Sequence, residues 1–92
     1  MPLTDLKKLP KVIGTKQVKK AIIKGQVQKV YVAGDAESYI VQPIKDLCRQ
    51  HQIEAEIVED MASLGEACGI EVGSAAVAIL HDVNNPNSIN IN

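Results

Sequence analysis

The chain predicts an α/β fold, a three-layer α/β/α sandwich around a small mixed four-stranded sheet. Three observations carry this expectation. Segments whose apolar residues recur at helical spacing alternate with short strand-like runs. The apolar residues are almost all aliphatic: Trp and Phe are absent and Tyr31 and Tyr39 are the only aromatics, so the core is expected to be Val, Ile, Leu and Ala. A length of 92 residues supports one core and no second independent one, so residues 1–82 are expected to form a single domain.

Leu3, Leu6 and Leu9 stand at helical spacing after Thr4, and Pro10 ends that turn or two of helix. Lys11 to Ile13 reads as a short extended piece. Gly14 and Thr15 start a helix whose buried stripe is Val18, Ala21 and Ile22 and which stops at Gly25. Val30 to Ala33 is the first strong strand signal, closed by Gly34-Asp35. Pro43 suits a first helical turn, so the next helix is placed from near Gln42, with Ile44, Leu47 and Cys48 inward. Ile53 to Val58 alternates Glu54 and Glu56 outward with Ala55 and Ile57 inward, a strand pattern. Asp60 caps a short helix with Leu64, Ala67 and Cys68 facing the core, and Gly69 ends it. Ala75 to Leu80 is apolar throughout, the signature of a central strand. Residues 83–92, rich in Asn, have little to bury and read as a flexible tail.

Several function classes find no support. Neither the GxGxxG nor the GxxxxGK[ST] phosphate loop occurs, and His51 and His81 have no metal set or nucleophile relay near them. Cys48 and Cys68 are not a CxxC pair and are expected to pack as small hydrophobes. No cofactor, metal or enzymatic activity is expected. With no signal peptide and no long apolar run the chain reads as cytoplasmic, away from membranes, and a monomer is expected. With two tyrosines alone, an aromatic platform for single-stranded nucleic acid is not expected.

Charge is unevenly placed. The net charge is −1, but up to Lys29 eight lysines face Asp5 alone, whereas beyond it Lys45 and Arg49 face ten carboxylates. Phosphate binding needs local potential rather than net charge, so a small nucleic-acid footprint remains compatible with this balance. Lys16, Lys20 and Lys24 recur at i, i+4 and i+8 on one helix face, with Gln17 beside them. Lysine heads donate to guanine O6 and N7, Gln17 donates and accepts, and first-turn N–H groups favour phosphate. Taken alone, such a stripe is more often a solvated helix face.

The segment from Leu64 to Gly73 is punctuated by Gly65, Gly69 and Gly73 around Ile70 and Val72. Gly69 has an ordinary reading as a helix C-cap and Ile70 as a core residue. Beside a basic helix start, however, an apolar loop can cover an unstacked base while lysines hold the adjoining phosphates. Asp35 and Glu37 can accept from a base amino edge or a ribose 2′-OH, or serve as turn formers or a helix cap.

The ordered set Gly14-Thr15-Lys16-Gln17-Val18-Lys19-Lys20-Ala21-Ile22, Val30-Tyr31-Val32-Ala33-Gly34-Asp35-Ala36 and Leu64-Gly65-Glu66-Ala67-Cys68-Gly69-Ile70 resembles the L-seven-Ae ribosomal protein family, in particular its small bacterial members. The likeness runs from about Ile13 to Leu80. It implies an α/β/α sandwich that binds kink-turns, RNA elements bent sharply by a short bulge and tandem sheared G·A pairs. By the same resemblance, Gly14 and Thr15 open the contact. Lys16, Gln17 and Lys20 approach the G·A pairs through the major groove, and Lys24 sits on phosphate. Glu37 is then the acidic contact, and Ile70 packs on bulge nucleotides with Glu71 and Val72 following. Lys16 and Gln17 stand where archaeal and eukaryotic members usually carry Asn and Glu. Cations common near Met61 and at Val72 are missing, which weakens the expected grip. The expected partner is structured RNA, free or in the ribosome. The alternative is a protein-interaction or ligand-binding domain of this fold that has lost RNA recognition.

Overall fold

The computed structural model describes residues 6–81. The elements follow in the order β1 (Lys11–Ile13), α1 (Thr15–Ile23), β2 (Val27–Ala33), α2 (Ser38–Gln50), β3 (Glu54–Val58), α3 (Met61–Cys68) and β4 (Ala76–Leu80). The four strands form one sheet in the order β1-β4-β2-β3. β4 pairs antiparallel with both β1 and β2, and β2 pairs parallel with β3. β1, β2 and β3 therefore share one direction, and the helix after each starts at the same end of the sheet. The three-layer mixed α/β/α arrangement expected from the sequence is the one observed.

The alternating faces of β2 and β4 build two cores. Val30, Val32, Ala76 and Ala78 pack under α1 and α2 with Val18, Ala21, Ile22, Val41, Ile44 and Cys48. Tyr31, Ala33, Val77 and Ile79 face the other way, onto Leu64 and Cys68 of α3 and onto Leu6. β4 holds the central position its unbroken apolar run predicts, since it is covered on both faces. Cys48 and Cys68 are free and buried, and loss of solvent pushes both thiols above their ordinary value.

Several boundaries differ from the sequence reading. α2 begins at Ser38, not Gln42, and carries Pro43 inside it. A proline there forfeits the bond to the Tyr39 carbonyl, at a cost of about 3 kcal/mol in a helix interior. Burial of Val41 and Ile44 offsets it, each contributing about 1.5–3 kcal/mol. β2 starts at Val27, with an irregularity between Val27 and Lys29 that breaks the alternation and hides the strand's first turn from a periodicity reading. Ile57 points to the α2 side as expected but stays 54% exposed, because β3 is the sheet edge and α2 does not reach over it. Of the expected N-terminal helix, the described residues include Leu6 and Lys7 in a 3₁₀ turn, with Leu6 fully buried. Leu3, Thr4 and the predicted tail at 83–92 lie outside the described residues.

Candidate functional site

One rim of the sheet collects the starts of all three helices. Gly14 N–H donates to the Ala76 carbonyl at 2.9 Å, Ala33 N–H to the Ala75 carbonyl at 2.9 Å and Gly34 N–H to the Val58 carbonyl at 2.7 Å. These bonds bring the β1–α1 junction, the β2–α2 loop, the end of β3 and the entry to β4 to one edge. α1 and α2 lie side by side on the same face of the sheet and run away from the rim in the same direction. Each helix start carries roughly half a positive charge, so the rim is electropositive before any side chain is considered.

The three starts are treated differently. At α3 the donors are satisfied within the protein: Asp60 accepts from Ser63 N–H at 2.7 Å, and Asp35 accepts from Met61 N–H at 2.9 Å. The bonds from Ser63 hold the Asp60 carboxyl below its ordinary value. At α1 the cap position is Gly14, at φ 106° and ψ 149°, and no side chain caps the helix. That backbone conformation is open essentially to glycine alone. At α2 the cap position is the exposed Glu37, again without a side-chain cap bond. Asp35 thus serves as a cap, for α3 rather than for its own helix, while Glu37 keeps its carboxylate in solvent.

Lys16, Gln17, Lys20 and Lys24 are exposed, and none forms an ion pair or side-chain hydrogen bond among the described residues. Thr15 is half-buried at the first position of α1. Lys16 and Gln17 sit at the rim and Lys20 one turn below. Lys24 lies beyond the last turn, about 12 Å from Lys16 along the axis at 1.5 Å per residue. The stripe therefore points along the side of the molecule rather than gathering at one spot. Lys29 does not belong to it. Its ammonium bonds Glu56 at 2.8 Å, approaches Glu54 at 3.8 Å and lies 5.0 Å from the Tyr31 ring centre. That bond raises the Lys29 value and lowers that of Glu56. Lys11 turns back on its own backbone, to the Lys7 and Leu9 carbonyls.

The glycine-punctuated loop lies back along α3. Gly69 takes a left-handed conformation and closes the helix, and Ile70 N–H donates to the Gly65 carbonyl at 3.1 Å. A Cβ on Gly65 would strike the Val72 carbonyl oxygen, and one on Gly73 would come within 3.1 Å of Met61 Cβ. Both glycines are thus needed for the close approach of loop to helix. Ile70 is half-buried alongside α3, and Val72, 70% exposed, is the apolar residue the loop offers to solvent. Between loop and helix runs an open cleft of about 410 Å³ whose lining includes Asp60, Glu66 and Glu71. Its three carboxylates make it unsuited to phosphate, so the basic side of the rim is the α1 side.

Ser74 is a positioning residue that sequence reasoning missed. It is buried, its N–H donates to the Met61 carbonyl at 3.1 Å, and its hydroxyl donates to the Ala76 carbonyl at 2.9 Å. The Ala76 oxygen also holds Gly14, so the loop and the start of α1 share one anchor. A lone hydroxyl residue between Gly73 and an apolar strand is the only trace of this in the sequence.

The structure is thus an α/β/α sandwich with an uncapped basic helix start beside a glycine-bound loop. The chain belongs to the Ribosomal protein L7Ae/L30e/S12e/Gadd45 family, whose sequence model matches residues 5–88. It is 41% identical over 68 residues to RNA-binding protein TTE2299 of Caldanaerobacter subterraneus, covering 74% of this chain and 83% of that protein. It is also 41% identical over 68 residues to large ribosomal subunit protein eL8 of Halobacterium salinarum, covering 73% of this chain and 57% of that protein. The solved Giardia lamblia 15.5kD RNA binding protein superposes with a TM-score of 0.80 over 94% of this chain and 76% of its own, at 21% identity, which establishes the shared fold.

Proposed function

We propose that this chain is a non-enzymatic RNA-binding protein that docks a kink-turn against the rim where α1 begins. The observation that carries the reading is the contrast between helix starts. α3 is capped by two aspartates, whereas α1 leaves its first-turn donors and its lysines unpartnered among the described residues. Relatives named as RNA-binding and ribosomal proteins support the same partner class.

In this reading the first-turn N–H groups at Thr15 and Lys16 take a phosphate, since they are unbonded donors at the positive end of a helix. Lys16, Gln17 and Lys20 enter the widened major groove, where lysine donates to guanine O6 and N7 and Gln17 supplies both a donor and an acceptor. Lys24, farther down the helix, neutralises a phosphate of the flanking stem. Glu37 accepts from a base amino group or a 2′-OH. The loop at Ile70, Glu71 and Val72 covers the bulge, with Val72 as its apolar contact.

The test is a titration of a fluorescently labelled kink-turn duplex against a fully paired duplex of equal length. Preferential binding of the kink-turn, weakened by added salt, is expected. Equal affinity for both duplexes would reject kink-turn recognition and favour a domain of this fold with another partner.

A further inference from the structure

Tyr31 and Tyr39 are the only aromatic residues of the chain, and their environments are opposite. Tyr31 is 1% exposed in the core beneath Lys29, whereas Tyr39 is 76% exposed. Tyr39 is the second residue of α2, and Lys16 is the second residue of α1. The two helices pack side by side and both start at the rim, so each of these residues lies in a first turn at that rim. Packed helix axes lie about 8–10 Å apart. On the α2 wheel Tyr39 falls opposite Val41, Ile44 and Cys48, the buried positions. The groove between α2 and β3 is lined by Ser38, Val41, Gln42 and Lys45 and does not take in Tyr39, whose ring faces solvent. Helical side chains lean toward the N-terminus, which carries this ring outward over the rim.

We propose that Tyr39 is a base-stacking residue of the rim, taking the face of an unpaired nucleobase that is held next to the phosphates bound at α1. The inference rests on the RNA-binding reading and adds to it the class of group bound at α2. Three physical points favour a base over other contacts. An exposed ring with no hydrogen-bond partner among the described residues leaves its face free. The neighbouring uncapped helix starts draw a polyanion to this rim. Every base has a π-face, so a single aromatic gives affinity without demanding a sequence.

The chain offers a direct optical test, since it has no Trp and Tyr31 is shielded. Tyrosine emission should be quenched when a kink-turn duplex with an unpaired bulge is added, and the change should vanish in Tyr39→Ala. Labelled-RNA anisotropy on the same samples should show Tyr39→Ala weakened by about five- to a hundred-fold, the range for losing one stacked base, with Tyr39→Phe recovering most of the affinity. RNA binding by anisotropy with unchanged emission and undiminished affinity in Tyr39→Ala would overturn the stacking role and leave the RNA-binding reading intact. Failure of the wild-type protein to bind the RNA would overturn both.

Discussion

The backbone N–H of Gly14 and the side-chain hydroxyl of Ser74 meet at one acceptor, the Ala76 carbonyl oxygen, each at 2.9 Å. Through that atom the start of α1 and the end of the glycine loop are held in fixed relation. Ser74→Ala leaves the oxygen bonded to Gly14 alone, so the expected loss is that of one neutral hydrogen bond, about 0.5–1.5 kcal/mol. For a domain of this size that corresponds to roughly 4–8 °C in Tm per kcal/mol, read by thermal circular dichroism. An unchanged Tm would show that the hydroxyl is not engaged.

Gly14 and Gly65 are irreplaceable for different reasons. Nothing lies within 4 Å of a Cβ on Gly14, so Gly14→Ala costs backbone strain, about 1–3 kcal/mol for a residue held at this φ. Gly65→Ala instead drives a methyl into the Val72 carbonyl, and the loop has to move. In amide NMR spectra Gly65→Ala should shift residues 71–74, while Gly14→Ala should perturb the β1–α1 junction and spare them. Matching perturbations in both variants would contradict this division.

The lysines are expected to separate by position. Lys20→Ala should cost about 1–3 kcal/mol in kink-turn affinity if its ammonium is on guanine. Lys24→Ala, at the far end of the helix, should weaken all RNAs alike and lower the salt slope by about one unit. Val72→Lys places a cation at the exposed loop position and should raise both affinity and slope by one contact. Identical salt slopes for wild type, Lys24→Ala and Val72→Lys would place these residues away from the RNA.

Two lowered carboxyls contribute to the acid limb of stability. Glu56, bonded to Lys29, and Asp60, bonded to Ser63, both have folded values below their ordinary ones. Their contribution is complete above the usual carboxylate range, near 4, and is lost as pH falls through the lowered values. Lys29 is raised, so its share persists until pH climbs past the ordinary lysine value of 10.5 and through the raised one. Urea midpoints should therefore be flat from the carboxylate range up to the ordinary thiol value of 9.0, above which the unfolded chain ionises Cys48 and Cys68, raised by burial in the fold, and stability begins to fall. Asp60→Asn, which keeps a capping oxygen, should show a shallower fall below pH 4; curves that fall in parallel would discount the cap as a source.

Much of the site was readable along the chain because its signals are local. Lys16, Lys20 and Lys24 declare one helix face by spacing, and Gly69 after Cys68 declares a helix end. The start of α2 was not readable. Pro43 argues for a helix boundary locally, and only burial of Val41 beneath the helix layer overrides it. Lys29 counted as part of a basic end until β3, 25 residues onward at Glu54, brought Glu54 and Glu56 against it. Ile57 obeyed its alternation yet stayed exposed, since a strand's face is a local property and its neighbour in the sheet is not.

The amino-acid sequence by itself determined the fold class, the aliphatic core, the Gly14-Thr15 start of α1 and the lysine stripe, all of which depend on residues within a few positions of one another. Tertiary structure alone decided that Asp35 joins Asp60 in capping α3, because it reaches a helix 26 residues away. It also decided that the glycine loop lies along α3 with Val72 outward, and that Ser74 and Gly14 share the Ala76 oxygen. These outcomes turn on parallel strand order and close backbone approach, which bring distant segments to one rim and leave little periodic trace in the chain.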